Sequence, residues 1–228
     1  VFPRLLTATI LSSALLLTAC TGDDSDSGDP AERLDAASQA LAEAESFDIS
    51  LSTKELPSGQ RGLLSADGVG DQSPAFQGDV KVVAGGATLA AEVISVDGKT
   101  YAKTGFSPVW APLDPASLGA PDPADLVGTD ADSGLAGLLK ATEDVEAGDQ
   151  SRDGDLVLTE ITGDLPGERI AQLIPTADKT EDFDVTYRLT DDDELHDAKI
   201  TGPFYGGEDV TYTLRLEPRD EPAGIEAP

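Results

Sequence analysis

The sequence predicts an α+β domain built on one long antiparallel sheet, with one helix before it and two helices inserted into it. Three observations carry that reading. Most of the chain from Phe47 onward alternates apolar and polar residues with period two. Glycine-rich or Asp-Gly turn signals punctuate the alternating runs. Helical spacing of apolar residues is confined to three short stretches.

The first of these stretches is "DPAERLDAASQALAEAES". Asp29 stands at the N-cap position and Pro30 at the first helical position, with Leu34, Ala37, Leu41 and Ala44 on one face. "FDISLSTKE" then sets Phe47, Ile49 and Leu51 against Asp48, Ser50 and Ser52, and after a turn at Pro57 to Gly59 comes "RGLLSADGVG". "AFQGDVKVVAGGATLAAEVISVDGKTYAKT" continues with strands broken at Gly85-Gly86 and Asp97-Gly98. Alternation of this kind suits a sheet with one covered and one wet face. "FSPVWAPLDPASLGAPDPADL" is so rich in proline that it reads as a connection, neither sheet nor long helix. "SGLAGLLKATEDV" returns to helix with Ser133 as cap, and "PGERIAQLIP" is a short helix between prolines. "DLVLTEITGDL", "FDVTYRL", "HDAKITGPF" and "EDVTYTLRLE" supply further strands, with turns at Asp191 to Glu194 and Gly206-Gly207, and "PRDEPAGIEAP" reads as a tail.

Upstream, Arg4 precedes an apolar run from Leu5 to Leu17, which has the form of an export signal and is shorter than the about 20 apolar residues that span a bilayer. The only cysteine, Cys20, follows Leu17-Thr18-Ala19, the pattern of a bacterial lipobox. The expectation is a signal peptide over 1–19, cleavage before Cys20, and a diacylglyceryl group (with palmitate-type acyl chains) on Cys20. Two or more chains anchor stably, at about 0.8 kcal/mol for each buried methylene. Residues 20–30 read as a lipidated flexible tether, 31–218 as a single domain, and 219–228 as a C-terminal tail. With 44 acidic against 15 basic side chains the formal charge is −29, so nucleic acid is not a partner, and electrostatics do not hold the body at an anionic membrane. The membrane is reached through Cys20.

Little in the chain points to catalysis. His196 is the only histidine and stands beside the acidic turn "DDDELHD", as a surface histidine among carboxylates would. No G-x-S-x-G elbow is present, and an acylated Cys20 is no nucleophile. "DQSRDGDLVLTE" places Asp149, Ser151, Asp153, Gly154, Asp155 and Glu160 at offsets of a calcium loop, but the following residues alternate, so a β-hairpin turning at Asp153-Gly154 is the better reading. No catalytic residue, metal site or cofactor is expected.

The order of motifs resembles the mycobacterial LppX/LprA/LprF/LprG lipoproteins. The residues that carry the resemblance are the lipobox ending at Cys20, "GDVKVVAGG" from Gly78, "VDGKTYAKT" with Trp110 following, and "LDPASL" with "DSGLAGLLKA" from Leu113. The resemblance implies a fold similar to the lipoprotein carrier LolA: a strongly curved antiparallel half-barrel with helices on its concave face. It further implies an apolar cavity for the acyl chains of envelope lipids, such as triacylated glycolipids, complex diesters or triacylglycerol, carried or presented between the inner membrane and outer layers. Alternation and helical facing select Val80, Val82, Leu89, Val93, Leu126, Leu135, Leu138, Leu139, Ile170 and Leu173 as its lining. The partner expectations are the membrane through Cys20, such a lipid, a membrane transporter and no nucleic acid, with the chain a monomer at the outer face of the cytoplasmic membrane. The alternative is a lipid-anchored interaction or signalling module with a closed core.

Overall fold

The computed structural model describes residues 28–71, 74–127 and 132–228. Cys20 and the leader expected over 1–19 lie outside the described residues.

Eleven strands form a single open antiparallel sheet: β1 (Ser46–Ser52), β2 (Gly62–Asp71), β3 (Ala75–Ala84), β4 (Ala87–Val96), β5 (Lys99–Thr104), β6 (Ser107–Leu113), β7 (Glu143–Asp153), β8 (Leu156–Pro166), β9 (Asp182–Thr190), β10 (Leu195–Tyr205) and β11 (Glu208–Arg219). Their spatial order is β6-β5-β4-β3-β2-β1-β11-β10-β9-β8-β7. The first and last strands therefore pair in the middle, with Phe47 opposite Pro218 and Leu51 opposite Leu214. The sheet curves into a half-barrel. Register slips, as between Leu63 and Ser65 and between Gly202 and Tyr205, add the local bend and twist that such curvature needs.

Four helices lie against the concave face among the described residues: α1 (Pro30–Glu43), α2 (Pro123–Val127), α3 (Gly134–Lys140) and α4 (Gly167–Leu173). Asp29 caps α1 by accepting from the Ala31 N–H at 2.9 Å, and Pro30 is its first residue, so the helix begins on the last residue assigned to the tether. Arg33 then fastens this end of α1 to the β9–β10 turn, donating from Nε to Asp193 Oδ1 at 2.5 Å and from Nη2 to the Thr190 carbonyl at 2.7 Å. Ser38 Oγ donates to the Ala136 carbonyl at 3.0 Å, tying α1 to α3.

Alternation decides which side chains enter the core. Phe47, Ile49 and Leu51 of β1 point inward, as do Phe183, Val185, Tyr187 and Leu189 of β9 and Val210, Tyr212, Leu214 and Leu216 of β11. The expected hairpins are present, and Gly85 and Gly86 (φ 59° and 80°) and Asp97 and Gly98 (φ 53° and 67°) take the left-handed geometry that two-residue turns demand.

The structure corrects the reading in four places. Residues 107–113 form a strand, β6, despite Pro108 and Pro112; it is an edge strand, where a missing N–H leaves no ladder bond unmade. Residues 123–127 add the helix α2. The β7–β8 hairpin turns at Gly154-Asp155, one residue later than expected, with Asp153 opposite Leu156. Ser133 holds the N-cap position of α3, but its side chain makes no capping hydrogen bond, and the helix expected over "SGLAGLLKATEDV" ends at Lys140, with Glu143 to Val145 already in β7. The segment after β11 is also fastened: Ser46 Oγ donates to the Glu221 carbonyl at 2.6 Å, and the Ala223 and Gly224 N–H groups donate to Asp71 Oδ2 at 3.0 and 3.2 Å.

One buried polar ring holds β2 to the last hairpin. At the β2 bulge the Leu63 N–H donates to the Tyr205 hydroxyl at 3.2 Å, the Tyr205 and Tyr212 hydroxyls meet at 2.9 Å, and Tyr212 donates to the Leu63 carbonyl. Burial pushes both phenols up, so the ring stays protonated. Tyr212→Phe strands a buried carbonyl and is expected to lower stability by about 1–3 kcal/mol in urea unfolding, while Thr201→Val, an exposed pair with Thr211, changes it little.

Candidate functional site

An apolar cavity of about 250 Å³ lies between strands β2–β5 and the chain that leads from β6 into α2. Its floor is Leu63 and Ala66 of β2, Val80 and Val82 of β3, Leu89, Ala91 and Val93 of β4, and Thr100, Ala102 and Thr104 of β5. Its roof is Leu113, Pro115, Leu118, Ala120, Pro121, Pro123 and Leu126.

The hollow has a compositional cause. On the other half of the sheet, Phe183, Tyr187, Phe204 and Tyr212 fill the concave face, with ring centroids 4.8 Å apart for Phe183 and Phe204 and 4.9 Å for Phe204 and Tyr212. On this half the inward positions at the cavity are Ala66, Ala91 and Ala102 among valines, whereas the gap at the facing Gly68 and Gly78 is filled by the Phe76 ring. Small side chains leave the volume open because the roof does not sink to meet them. Its prolines fix φ and carry no N–H that would need a partner over an apolar floor.

Asp122 positions that roof. It accepts from the Ala124 N–H at 3.0 Å, capping α2, and from Ser95 Oγ of β4 at 2.6 Å and Thr100 Oγ1 of β5 at 3.2 Å. The Thr100 hydroxyl also donates toward Ser95 Oγ at 3.1 Å, and Thr104 Oγ1 accepts from the Ser107 N–H at 3.1 Å. Both polar side chains of the described lining are thus engaged with the protein, and among the described residues no charged side chain lines the cavity. At the far end Leu89 is 40 % exposed, so the cavity opens there. The site offers an apolar ligand burial with few competing polar groups.

Of the residues selected from the sequence, Val80, Val82, Leu89, Val93 and Leu126 line this cavity. Leu135, Leu138, Ile170 and Leu173 do not. With Leu126 they surround a separate void of about 30 Å³ against the aromatic half of the sheet, and Leu139 is plain core. The helical stripes of α3 and α4 sit over Ile200, Phe204 and Tyr212, whose bulk leaves only that small void between them. Sequence reasoning missed the roof from Leu113 to Pro123; its signal was proline interleaved with leucine and alanine where a solvent loop would carry more polar residues.

Two other recesses carry charged side chains. One of about 260 Å³ is lined by Asp125, Asp132, Arg169 and Gln172 along with Leu138 and Leu173, and burial followed by the neighbouring Asp122 pushes the Asp125 carboxyl up. The other, about 670 Å³, runs over the outer face past Lys54, Glu55, Lys199 and Asp209.

His196 lies in the β10 bulge and belongs to an ion cluster on the outer face. Its Nδ1 is 2.7 Å from Asp197 Oδ2, and Arg188 grips the same carboxylate through Nε at 2.8 Å and through Nη2. Burial would raise the Asp197 pKa, but the bonds from Arg188 and His196 outweigh it and hold the carboxyl below its usual range. Asp153 joins the cluster through Arg215 at 3.4 Å instead of serving a calcium loop, and among the described residues no group of three His, Cys, Asp or Glu side chains is placed to hold a metal ion.

An open half-barrel that keeps an apolar hollow between its sheet and a crossing segment defines the class: an apolar-pocket protein of the half-barrel type. The chain belongs to the LppX_LprAFG lipoprotein family, whose model matches residues 29–217. It is similar in fold to LprF from Mycobacterium bovis, with a TM-score of 0.69 at 17% identity over 88% of this chain and 99% of that one. It is also similar to the lipoprotein LppX from Mycobacterium tuberculosis, with a TM-score of 0.60 at 17% identity over 87% of this chain and 100% of that one. No curated protein matches the sequence. Among the described residues no helix is long and apolar enough to cross a membrane.

Two outcomes follow from the hydrogen bonds. Asp122→Ala removes the α2 cap and leaves Ser95 and Thr100 short of a partner; a loss of about 1–3 kcal/mol is expected, with faster amide exchange over 120–127 than elsewhere. Asp197→Asn is expected to lower stability by about 2 kcal/mol near neutral pH, the partial exposure of Arg188 discounting a fully buried pair. A carboxyl held low when folded stabilises above the unfolded value near 3.9 and loses that stabilisation as pH falls through the folded one. Thermal melts of the two proteins should therefore converge in acid.

Proposed function

We propose that the protein is a non-enzymatic lipid carrier of the cell envelope. It is exported, anchored through an acylated Cys20 to the outer face of the cytoplasmic membrane, and takes acyl chains of envelope lipids into the cavity beneath the roof. The observation that carries this reading is the cavity itself: about 250 Å³, apolar throughout its lining except for two threonines whose hydroxyls are engaged. An acyl chain leaving a bilayer loses about 0.8 kcal/mol for each methylene exposed to water, and such a wall restores that burial. Anchoring rests on Leu17-Thr18-Ala19-Cys20 and on membership in a family of lipoproteins.

Triacylated glycolipid and triacylglycerol remain the cargo candidates. The volume lies just under the roughly 300–1,000 Å³ of ordinary small-molecule sites, which favours one chain held at a time with the rest of the lipid outside. The second reading, a closed-core interaction module, is disfavoured by a hollow much larger than the about 30 Å³ that one water occupies and by the exposed Leu89 at its end.

Mass spectrometry of lipid extracted from the natively exported protein tests the proposal; lipid-free protein from lipid-replete cells overturns it. Val80→Trp fills the cavity and is expected to remove most of the bound lipid with little change in unfolding. Leu138→Trp overpacks the core beside the small void and is expected to cost about 1–3 kcal/mol of stability instead.

A further inference from the structure

We propose that the cavity mouth, formed by the tips of the β3–β4 and β5–β6 hairpins, is the surface through which the protein touches a lipid bilayer; the inference rests on the lipid-carrier reading above. Turn positions ordinarily take Gly, Asn or Asp, yet the β5–β6 turn carries Phe106 at 95 % exposure. Val109, on β6, is 70 % exposed and shares the alternation of Ala111 and of the cavity-lining Leu113. Thr104, at the base of this turn, pairs with Ala91 of β4, which sets the turn beside Leu89, itself both exposed and part of the cavity wall. The exposed apolar surface is thus continuous with the hollow.

Charge commits this surface to a membrane. The chain carries 44 acidic residues, but none falls in 82–91 or 102–110, the two hairpin ends that build the mouth, and Lys103 in the second is paired with Glu92 at 2.5 Å. The rest of the body is repelled by anionic headgroups; the mouth is not. Trp110, half-buried beneath Lys103 with Nζ 5.1 Å from the ring, adds an aromatic of the kind that settles at a membrane–water interface. A second copy adding a strand to β6 fits less well, because Pro108 and Pro112 interrupt that edge. Leu156, the other large exposed apolar residue among the described residues, follows Asp155 and pairs with Asp153 across the hairpin, with no apolar cavity beside it, as isolated surface residues often do.

Trp110 is the only tryptophan, so its fluorescence reads the mouth directly. The processed protein is mixed with vesicles of phosphatidylethanolamine and phosphatidylglycerol bearing brominated acyl chains, and lipid transfer to acceptor vesicles is followed in parallel. Parent protein should show Trp110 quenched by the bromolipid. Phe106→Asp with Val109→Asp should abolish the quenching and slow transfer by about tenfold or more, with the co-purified lipid load and the thermal melt unchanged. Any acyl anchor is common to both proteins and cancels. Unchanged quenching and transfer in the variant overturn the proposal, as does concentration-dependent self-association that the substitutions abolish while quenching persists. If no lipid co-purifies or moves with either protein, yet quenching is present and lost in the variant, the carrier reading fails and the membrane surface stands.

Discussion

The rest of the molecule depends on a constraint of connectivity. Because β1 and β11 pair at the centre of the sheet, β6 and β7 become its two opposite edges although they are consecutive in the chain. Residues 114–142 must therefore travel from one edge to the other. A route over the outer face would leave the concave face, with its long rows of apolar side chains, uncovered. The crossing segment covers it instead, carrying the 3₁₀ turn Pro115–Leu118, α2 and α3, and α1 and α4 complete the layer. A large curved sheet covered by so short a crossing is not packed evenly everywhere. The hollow is where the cover is thinnest.

Where it is thinnest is set by side-chain volume and by one carboxylate. The aromatic half of the sheet meets α3 and α4 and closes to a void of about 30 Å³. The alanine and valine half meets a proline-rich strip that cannot settle further, since Asp122 holds it to β4 and β5 through Ser95 and Thr100. Leu126 lines both spaces and is the partition between them. Above the partition, the Tyr205–Tyr212–Leu63 ring fixes the end of β2, whose Leu63 is itself part of the cavity floor. Polar groups beside the hollow thus bond to one another and shape it, leaving its surface largely apolar.

The sheet was legible in the sequence where strands alternate and turns carry a glycine or Asp-Gly pair; β7, exposed along nearly its whole length, does not alternate, and the β9–β10 turn at Asp191–Glu194 has no glycine. β6 was not legible. Two prolines in seven residues read as a break, and they are tolerable only because β6 is an edge, a fact that depends on the pairing of β1 with a strand more than 150 residues away. The cavity was legible by half for a related reason. Alternation tells which side chains of β3 and β4 point inward, and Val80, Val82, Leu89 and Val93 do line the hollow. Periodicity in α3 and α4 tells equally well which residues are buried but not what they are buried against. Leu135, Leu138, Ile170 and Leu173 met Phe204 and Tyr212, and large rings left no room. Burial follows from pattern within one element; emptiness follows from the volumes of two.

The placement of the two ends of the molecule bears on how a carrier of this build would work. The start of α1 is held at the β9–β10 turn by Arg33, and strand direction puts that turn at the opposite end of the sheet from the β3–β4 and β5–β6 hairpins. On the proposed anchoring, the chain from Cys20 to Asp29 reaches at most roughly 30 Å at about 3.5 Å per residue. A ten-residue strand spans about 33 Å. The tether is therefore no longer than the body it holds, and an upright molecule points its mouth away from the membrane that anchors it. Delivery to a facing layer needs no rearrangement. Loading from the anchoring membrane requires the body to tip until its mouth meets the headgroups, and the acidic outer face resists lying flat on them. The β3–β4 and β5–β6 tips, which carry no acid, meet no such resistance.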